Sequence, residues 1–124
     1  MPSNYYFLSQ KVGGDEVPSD CWASNPQIKA YMQEHPEIDG FAGLETLYEQ
    51  KLLSMLKEHD ASYIVWQEIF DNGAKILPDS IIEVWKGGNW QAEMSNVTGA
   101  GFHTVLSAPF YLNYISYGTF ICSN

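Results

Sequence analysis

Short apolar segments rich in β-branched and aromatic residues alternate along this chain with longer segments of helical period. Three of the apolar segments predict strands, at residues 62–66, 81–85 and 102–106. An aromatic run at residues 5–8 leads toward Val12 and predicts an earlier strand, although a polar dipeptide interrupts it. Four strands are therefore expected, each followed by a polar or helical connection.

The connections carry the start and stop signals of helices. Asn25 can cap free amide groups and Pro26 suits the first helical position, so a helix is predicted there, ending near Pro36. Another helix is predicted over residues 91–98, ended by two glycines. Residues 18–22 are predicted to form a polar loop.

The longest predicted helix has apolar residues three and four positions apart, which form one stripe. The stripe consists of Leu44, Leu47, Tyr48, Leu52, Met55 and Leu56. We assign it to core packing and give it no ligand role. Residues 71–73 mark a turn, and only a short helix fits between them and Pro78.

Strands that alternate with helices are typical of an α/β fold with a parallel sheet built from βαβ units and right-handed crossovers. No repeat, linker or low-complexity segment interrupts the 124 residues, so one domain is expected.

Composition and charge narrow the classes of function. The 45% hydrophobic content excludes a disordered chain. A net charge of -9 with a pI near 4.5 argues against nucleic acid and anionic membranes as partners. No apolar run approaches the roughly 20 residues of a membrane span. Residues 1–6 lack the basic and long apolar regions of a signal peptide.

No cluster of His, Cys and Asp has the spacing of a metal site, and no glycine loop cradles phosphate, so neither a metal nor another cofactor is expected. Cys21 and Cys122 lie far apart, and each is interpreted as a small buried hydrophobic residue. The other polar candidates are interpreted as capping or surface groups: His35, His59, His103 and Asp71.

Two adjacent carboxylates, Asp15 and Glu16, follow Gly13 and Gly14 at the end of the first predicted strand. Neighbouring strand residues point to opposite faces, so both carboxylates can serve one site only if the backbone leaves regular β geometry. Glycines permit this, and the carboxyl ends of parallel strands are where active sites form. Taken alone, the same motif also describes a solvated surface turn.

Large aromatic residues recur at the same end of the predicted strands. Trp66, Trp85 and Tyr111 each lie at or just beyond a carboxyl end. Indole rings beside carboxylates suit a sugar, whose C–H face packs on the ring while its hydroxyls bond the acids. The competing interpretation is that both tryptophans belong to the core.

Several segments follow one another in a characteristic order. They read VGGDEV at 12–17, CW at 21–22, SNP at 24–26, VWQE at 65–68, VW at 84–85, LSAPFYL at 106–112 and ISYG at 115–118. Together they resemble the β-N-acetylhexosaminidases of glycoside hydrolase family 20, most closely the lysosomal hexosaminidase subunits of animals. The resemblance spans residues 12–118.

The resemblance implies a (β/α)8 TIM barrel, which needs about 250 residues. Residues 1–124 would then be a fragment of the catalytic barrel that holds roughly its fourth to seventh strands. Lys11 departs from a histidine that is usual in the family, and the family pattern is not continued after Gly118. We interpret both ends as boundaries of an altered transcript or gene model.

The implied reaction removes terminal non-reducing N-acetylhexosamine residues with retention, by a substrate-assisted mechanism. The resemblance assigns Glu16 as the general acid and base and Asp15 as the group that holds the acetamido N–H.

By the same resemblance, Trp66, Trp85 and Tyr111 would line the sugar pocket, with the Tyr111 hydroxyl near the acetamido oxygen. Asn113 would face the ligand. Tyr114 replaces the family's Arg or Leu, which leaves a preference for charged ligands open.

The resemblance further implies N-acetylhexosamine-terminated glycans as substrates, a hexosaminidase subunit or a second copy as partner, and a lysosomal or secreted location. Cys21 matches a cysteine that bonds an earlier one in the lysosomal relatives. The alternative is a truncated, inactive chain that binds sugar or a partner subunit weakly. A self-contained lectin-like module is a third reading, but the chain offers no second set of strands to complete a pocket.

Overall fold

A computed structural model describes residues 10–59 and 61–111. Helices and strands alternate along this part of the chain. In order they are β1 (Gln10–Gly13), α1 (Ser19–Ser24), α2 (Pro26–Glu34), α3 (Gly40–Glu58), β2 (Tyr63–Trp66), α4 (Gln67–Asp71), β3 (Ile81–Val84), α5 (Trp90–Gly99), β4 (His103–Leu106) and a 3₁₀ turn (Ala108–Phe110).

The four strands form one parallel sheet in the order of the sequence, β1-β2-β3-β4. The register aligns Ile64 with Ile81 and Ile81 with His103. Parallel neighbours in chain order bring all four carboxyl ends to one edge of the sheet. The predicted α/β fold with four parallel strands and intervening helices is confirmed, and it is consistent with part of a (β/α)8 barrel.

Alternate residues of the central strands face the helices and form the core. Tyr63, Val65, Ile82 and Val84 are at most 1% exposed. They pack with apolar side chains from three helices, Leu53, Ile69 and Val97. Burial of each such aliphatic side chain contributes about 1.5–3 kcal/mol. The opposite face of the sheet carries residues that are partly exposed to solvent, including Ile64 and Ile81.

The start of α2 follows the predicted local chemistry. The Asn25 side-chain oxygen accepts hydrogen bonds from the amides of Gln27 at 2.8 Å and Ile28 at 3.4 Å, and Pro26 occupies the first turn. The helix ends at Glu34, before Pro36. Both predicted boundaries are confirmed.

The predicted loop at residues 18–22 is wrong, because a short helix begins at Ser19. Pro18 precedes it with φ of -74°, and Asp20 lies in the first turn, where a negative charge is favourable. The Trp22 ring packs against Phe41 with centroids 6.3 Å apart. Apolar contact with α3 therefore stabilises a segment whose composition is polar.

The assignment of the whole α3 stripe to the core is also wrong. Tyr48 and Met55 are 63% and 56% exposed, whereas Glu49 and Leu53 are 5% and 2% exposed. The buried face of the helix is therefore offset by one residue from the predicted stripe, and it contains Glu49 and Leu53. The packing of neighbouring elements determines which face of the helix is buried, and this cannot be deduced from the periodicity of the sequence.

Cys21 is exposed, so its predicted burial is wrong. Cys122 and the aromatic run at residues 5–8 lie outside the described residues. Within residues 10–59 and 61–111, no helix has both the length and the apolar character needed to cross a membrane.

Glu49 is a carboxyl group in the core, and its Oε2 atom has no hydrogen-bond partner within the described structure. Burial, and then repulsion from Glu45, raise its pKa above the ordinary value of 4.5. The folded state therefore binds more protons than the unfolded state between pH 4.5 and the raised pKa. The contribution of Glu49 to the free energy of unfolding is therefore fully present below pH 4.5 and is lost as pH rises through the pKa of the folded state.

We predict that Glu49→Gln reduces the loss of unfolding free energy as pH rises from 4 to 8. The amide carries no charge to desolvate, so the variant should exceed the wild type in stability mainly at the upper end of the range. Urea unfolding at several pH values measures this. Glu58→Gln, at an exposed position of the same helix, is the matched control. An unchanged pH dependence in Glu49→Gln would contradict the prediction.

Candidate active site

The turn after β1 leaves regular strand geometry, as predicted. Gly13 and Gly14 have φ of +90° and +94°, and Glu16 has φ of +44°. The pairing of β1 with β2 also shifts register between Lys11 and Gly13. This turn places Asp15 and Glu16, both exposed, at the carboxyl edge of the sheet.

Gly14 is required for space as well as for conformation. A Cβ atom there would lie 2.5 Å from Cδ1 and 2.6 Å from Cγ1 of Ile69, a fully buried residue of α4. Any larger residue would force the Ile69 side chain, α4 or the turn to shift, because buried side chains are close-packed. The turn that carries the two carboxylates is thus packed, at Gly14, against the helix that follows β2.

Two of the predicted aromatic residues contact each other at this edge. Trp66 ends β2 and Trp85 follows β3. Their ring centroids are 5.9 Å apart with an interplanar angle of 65°, an edge-to-face arrangement. Both residues are only partly buried, so neither ring is enclosed in the core.

Lys11 contacts this aromatic pair, a role that the sequence did not indicate. Its Nζ atom lies 3.7 Å from the Trp66 ring centroid and 2.7 Å from Oε2 of Glu83. The register pairs Glu83 with Trp66, so the ion pair spans from β1 to β3 across β2. One cation therefore binds both an aromatic ring and a carboxylate whose side chain is 15% exposed.

The first two residues of α4 bind Trp85. Oε1 of Gln67 accepts hydrogen bonds from the amides of Trp85 at 3.1 Å and Lys86 at 3.0 Å. The Glu68 carboxylate accepts the indole Nε1–H of Trp85 at 2.9 and 3.1 Å and pairs with Lys86 Nζ at 3.2 Å. The Glu68 carboxylate thus forms an ion pair and an indole hydrogen bond together. The available sequence signal for these contacts was the pair Gln67 and Glu68 directly after a strand that ends in Trp66.

Other acidic groups surround Lys86. Burial, and then repulsion from Glu68, raise the pKa of Glu45, while Lys86 opposes the shift. Burial and the neighbouring Asp71 raise the pKa of Glu93, again opposed by Lys86. In the part of the chain that the structure describes, no group of three or more His, Cys, Asp or Glu residues is arranged to hold a metal ion.

Tyr111 follows the 3₁₀ turn after the carboxyl end of β4, so it lies at the same edge of the sheet. The residue is 39% exposed. Asn113 and Tyr114 lie outside the described residues. The site thus brings Trp66 and Trp85 into contact and puts Asp15 and Glu16 at the end of the adjacent strand. The roles assigned to all of these residues remain predictions.

Residues 3–122 match the family described as glycosyl hydrolase family 20, catalytic domain. The chain is 47% identical over 110 residues to the mouse β-hexosaminidase subunit alpha, covering 86% of this chain and 21% of that protein. It is 47% identical over 107 residues to the human β-hexosaminidase subunit beta, covering 86% and 19%. A chitobiase structure from Flavobacterium johnsoniae superposes with a TM-score of 0.65 at 28% identity, covering 83% and 16%. The chain spans about one fifth of the length of these curated relatives.

We predict that Gly14→Ala destabilises the fold more than Gly13→Ala. Both variants place Ala at positive φ, which costs about 1–3 kcal/mol. Only Gly14→Ala adds a clash with Ile69, which costs about a further 1–3 kcal/mol, whereas a Cβ at Gly13 meets nothing within 4 Å. Urea unfolding of the two variants measures the difference, and equal stability losses would show that the contact with Ile69 does not constrain the turn.

Proposed function

This chain belongs to glycosyl hydrolase family 20, and from that premise we propose that it carries part of the active site of a β-N-acetylhexosaminidase. The proposed reaction removes terminal non-reducing N-acetylhexosamine residues from glycoconjugates with retention at the anomeric carbon. The observation that carries the proposal is the turn at Gly13 and Gly14, which puts Asp15 and Glu16 at the end of the strand next to Trp66. The two indole rings lie at the same edge.

In the proposed mechanism, the acetamido oxygen of the substrate attacks its own anomeric carbon. The bond to the leaving oxygen breaks as Glu16 donates a proton to that oxygen. Asp15 accepts a hydrogen bond from the acetamido N–H and stabilises the positive charge that develops as the oxazoline-like ring closes. Glu16 then removes a proton from water, whose oxygen opens the ring at the anomeric carbon and restores the starting protonation state.

The aromatic residues supply the proposed binding surface. Trp66 and Trp85 present an edge-to-face pair that suits the apolar face of a sugar ring and the acetamido methyl group. Tyr111 and Asn113 are proposed to bond the ligand from the segment after β4. The glycan ends recognised in this way are terminal N-acetylglucosamine or N-acetylgalactosamine, and the proposed compartment is the lysosome or the extracellular space.

A second candidate is a chain without catalytic activity that binds a sugar or another hexosaminidase chain weakly. Two observations favour it. The chain spans about one fifth of the length of its relatives. The sheet face opposite the helices is partly exposed, and Val105 on that face is 44% exposed. This face combines exposed apolar residues with the ion pair between Lys11 and Glu83, and a surface of this kind suits association with a second copy or a related subunit.

Hydrolysis of 4-nitrophenyl N-acetyl-β-glucosaminide by the purified chain separates the two candidates. If the chain is active, Glu16→Gln is expected to lower kcat by about 10² to 10⁴, the usual contribution of a general acid. Glu34→Gln, at an exposed position of α2, is the matched control. Activity that survives in Glu16→Gln would exclude Glu16 from the role.

If the chain is inactive, the same substitution is tested in a chimera. A complete family 20 enzyme whose matching segment is replaced by residues 10–111 should lose activity by the same factor on Glu16→Gln. Size-exclusion chromatography of the purified chain reports whether it associates with a second copy. A monomeric chain that binds neither N-acetylglucosamine nor a hexosaminidase subunit would contradict the second candidate.

A further inference from the structure

The Glu68 carboxylate is buried, and its main contact is with an indole ring. The residue is 8% exposed, and both of its carboxylate oxygens lie within 3.1 Å of Trp85 Nε1. An indole nitrogen is only a donor, so Glu68 must be the acceptor. A hydrogen bond to an ionised acceptor is about twice as strong as one between neutral groups. This contact fixes the rotation of the ring about its side-chain bonds.

Gln67 fixes the backbone that carries the same ring. It is 5% exposed, and its single side-chain oxygen accepts the amides of both Trp85 and Lys86. Those two amides immediately follow the end of β3, and Gly87 and Gly88 come next. Without a partner for the amides, the segment between the strand and the glycines would have few restraints.

We propose that Gln67 and Glu68 are positioning residues for Trp85, one acting on its backbone and the other on its indole N–H. They hold the ring in one orientation at the carboxyl edge before any ligand arrives. The inference rests on the proposed function in one respect, which is that the ring so held forms part of the sugar pocket. Because the side chain is already ordered, ligand binding does not incur the entropy cost of ordering it.

The Glu68 carboxylate also forms an ion pair with Lys86, whose Nζ atom lies 5.9 Å from the Trp85 ring centroid. The Lys86 side chain is 48% exposed, so solvent screens the ion pair, whereas the indole N–H is within hydrogen-bond distance of both carboxylate oxygens. A charge-neutral amide at position 68 would lose the ion pair and keep an acceptor for the indole N–H. The two contacts can therefore be separated by substitution.

The test uses the indole N–H signals of the ¹⁵N-labelled full chain, in which Trp85→Phe assigns the signal of Trp85. We expect Glu68→Ala to move this signal upfield and to speed exchange of its proton with solvent by about tenfold or more, since a hydrogen bond to a charged group is lost. Glu68→Gln should retain most of the protection, and Lys86→Met should retain it fully. Glu58→Ala, at an exposed position of α3, is the control.

An unchanged Trp85 signal in Glu68→Ala would overturn the inference. So would equal loss of protection in Lys86→Met, because the ion pair would then be the operative contact. If Glu68→Ala does not fold, Glu68→Gln and Lys86→Met decide the matter alone. Protection that is kept in both supports the indole contact, and loss in either opposes it.

Titration with N-acetylglucosamine then tests the part that depends on the proposed function. A weaker affinity in Glu68→Ala, restored toward the wild type in Glu68→Gln, supports a positioning role in ligand binding. If the wild-type chain holds the Trp85 N–H but does not bind the sugar, the positioning of the ring stands and this chain does not form the sugar pocket by itself. If the sugar binds Glu68→Ala and the wild type equally, the ring is held but does not serve the ligand.

Discussion

Parallel pairing of four short strands is the constraint on which the rest of this structure depends. Residues that follow β1, β2 and β3 are separated by tens of positions in the chain, yet they emerge side by side because the strands run in one direction and in sequence order. An antiparallel neighbour would send alternate strand ends to opposite edges. The carboxylates after β1 and the indole rings at the ends of β2 and β3 share an edge for this reason.

Helix α4 connects this sheet geometry to the chemistry at its edge. It has only five residues, but three of them are buried, and these three contact segments on both sides of the helix. Ile69 closes the space next to Gly14, while Gln67 and Glu68 bind the segment around Trp85. The turn after β1 and the ring after β3 are therefore both positioned by the connection that follows β2. A substitution in α4 would therefore alter both the turn after β1 and the position of the Trp85 ring.

The sequence predicted those features whose cause is local or periodic. Asn25 caps α2 because its side chain reaches amides two and three residues ahead, and that geometry needs no knowledge of the fold. The strands after residue 60 follow from β-branched and aromatic runs. The phase of α3 was not predictable in the same way, since Glu49 rather than Tyr48 faces the core. A polar side chain in the core breaks the hydrophobic pattern from which such phases are deduced.

The candidate site was predicted as a set of residues at one edge, but not as a set of contacts. Lys11 reaches Trp66 only through the register of β1 on β2, which includes an irregular step between Lys11 and Gly13. As a result the two tryptophans, which the sequence treats alike, are held differently. A cation lies 3.7 Å from the ring centroid of Trp66, over its face, whereas Glu68 holds Trp85 by the nitrogen at the edge of its ring. Lys86 Nζ also lies over the Trp85 ring, but at 5.9 Å from its centroid. A sugar packs on a ring face, and Lys11 already occupies one face of Trp66, whereas the hydrogen bond to Glu68 occupies neither face of Trp85.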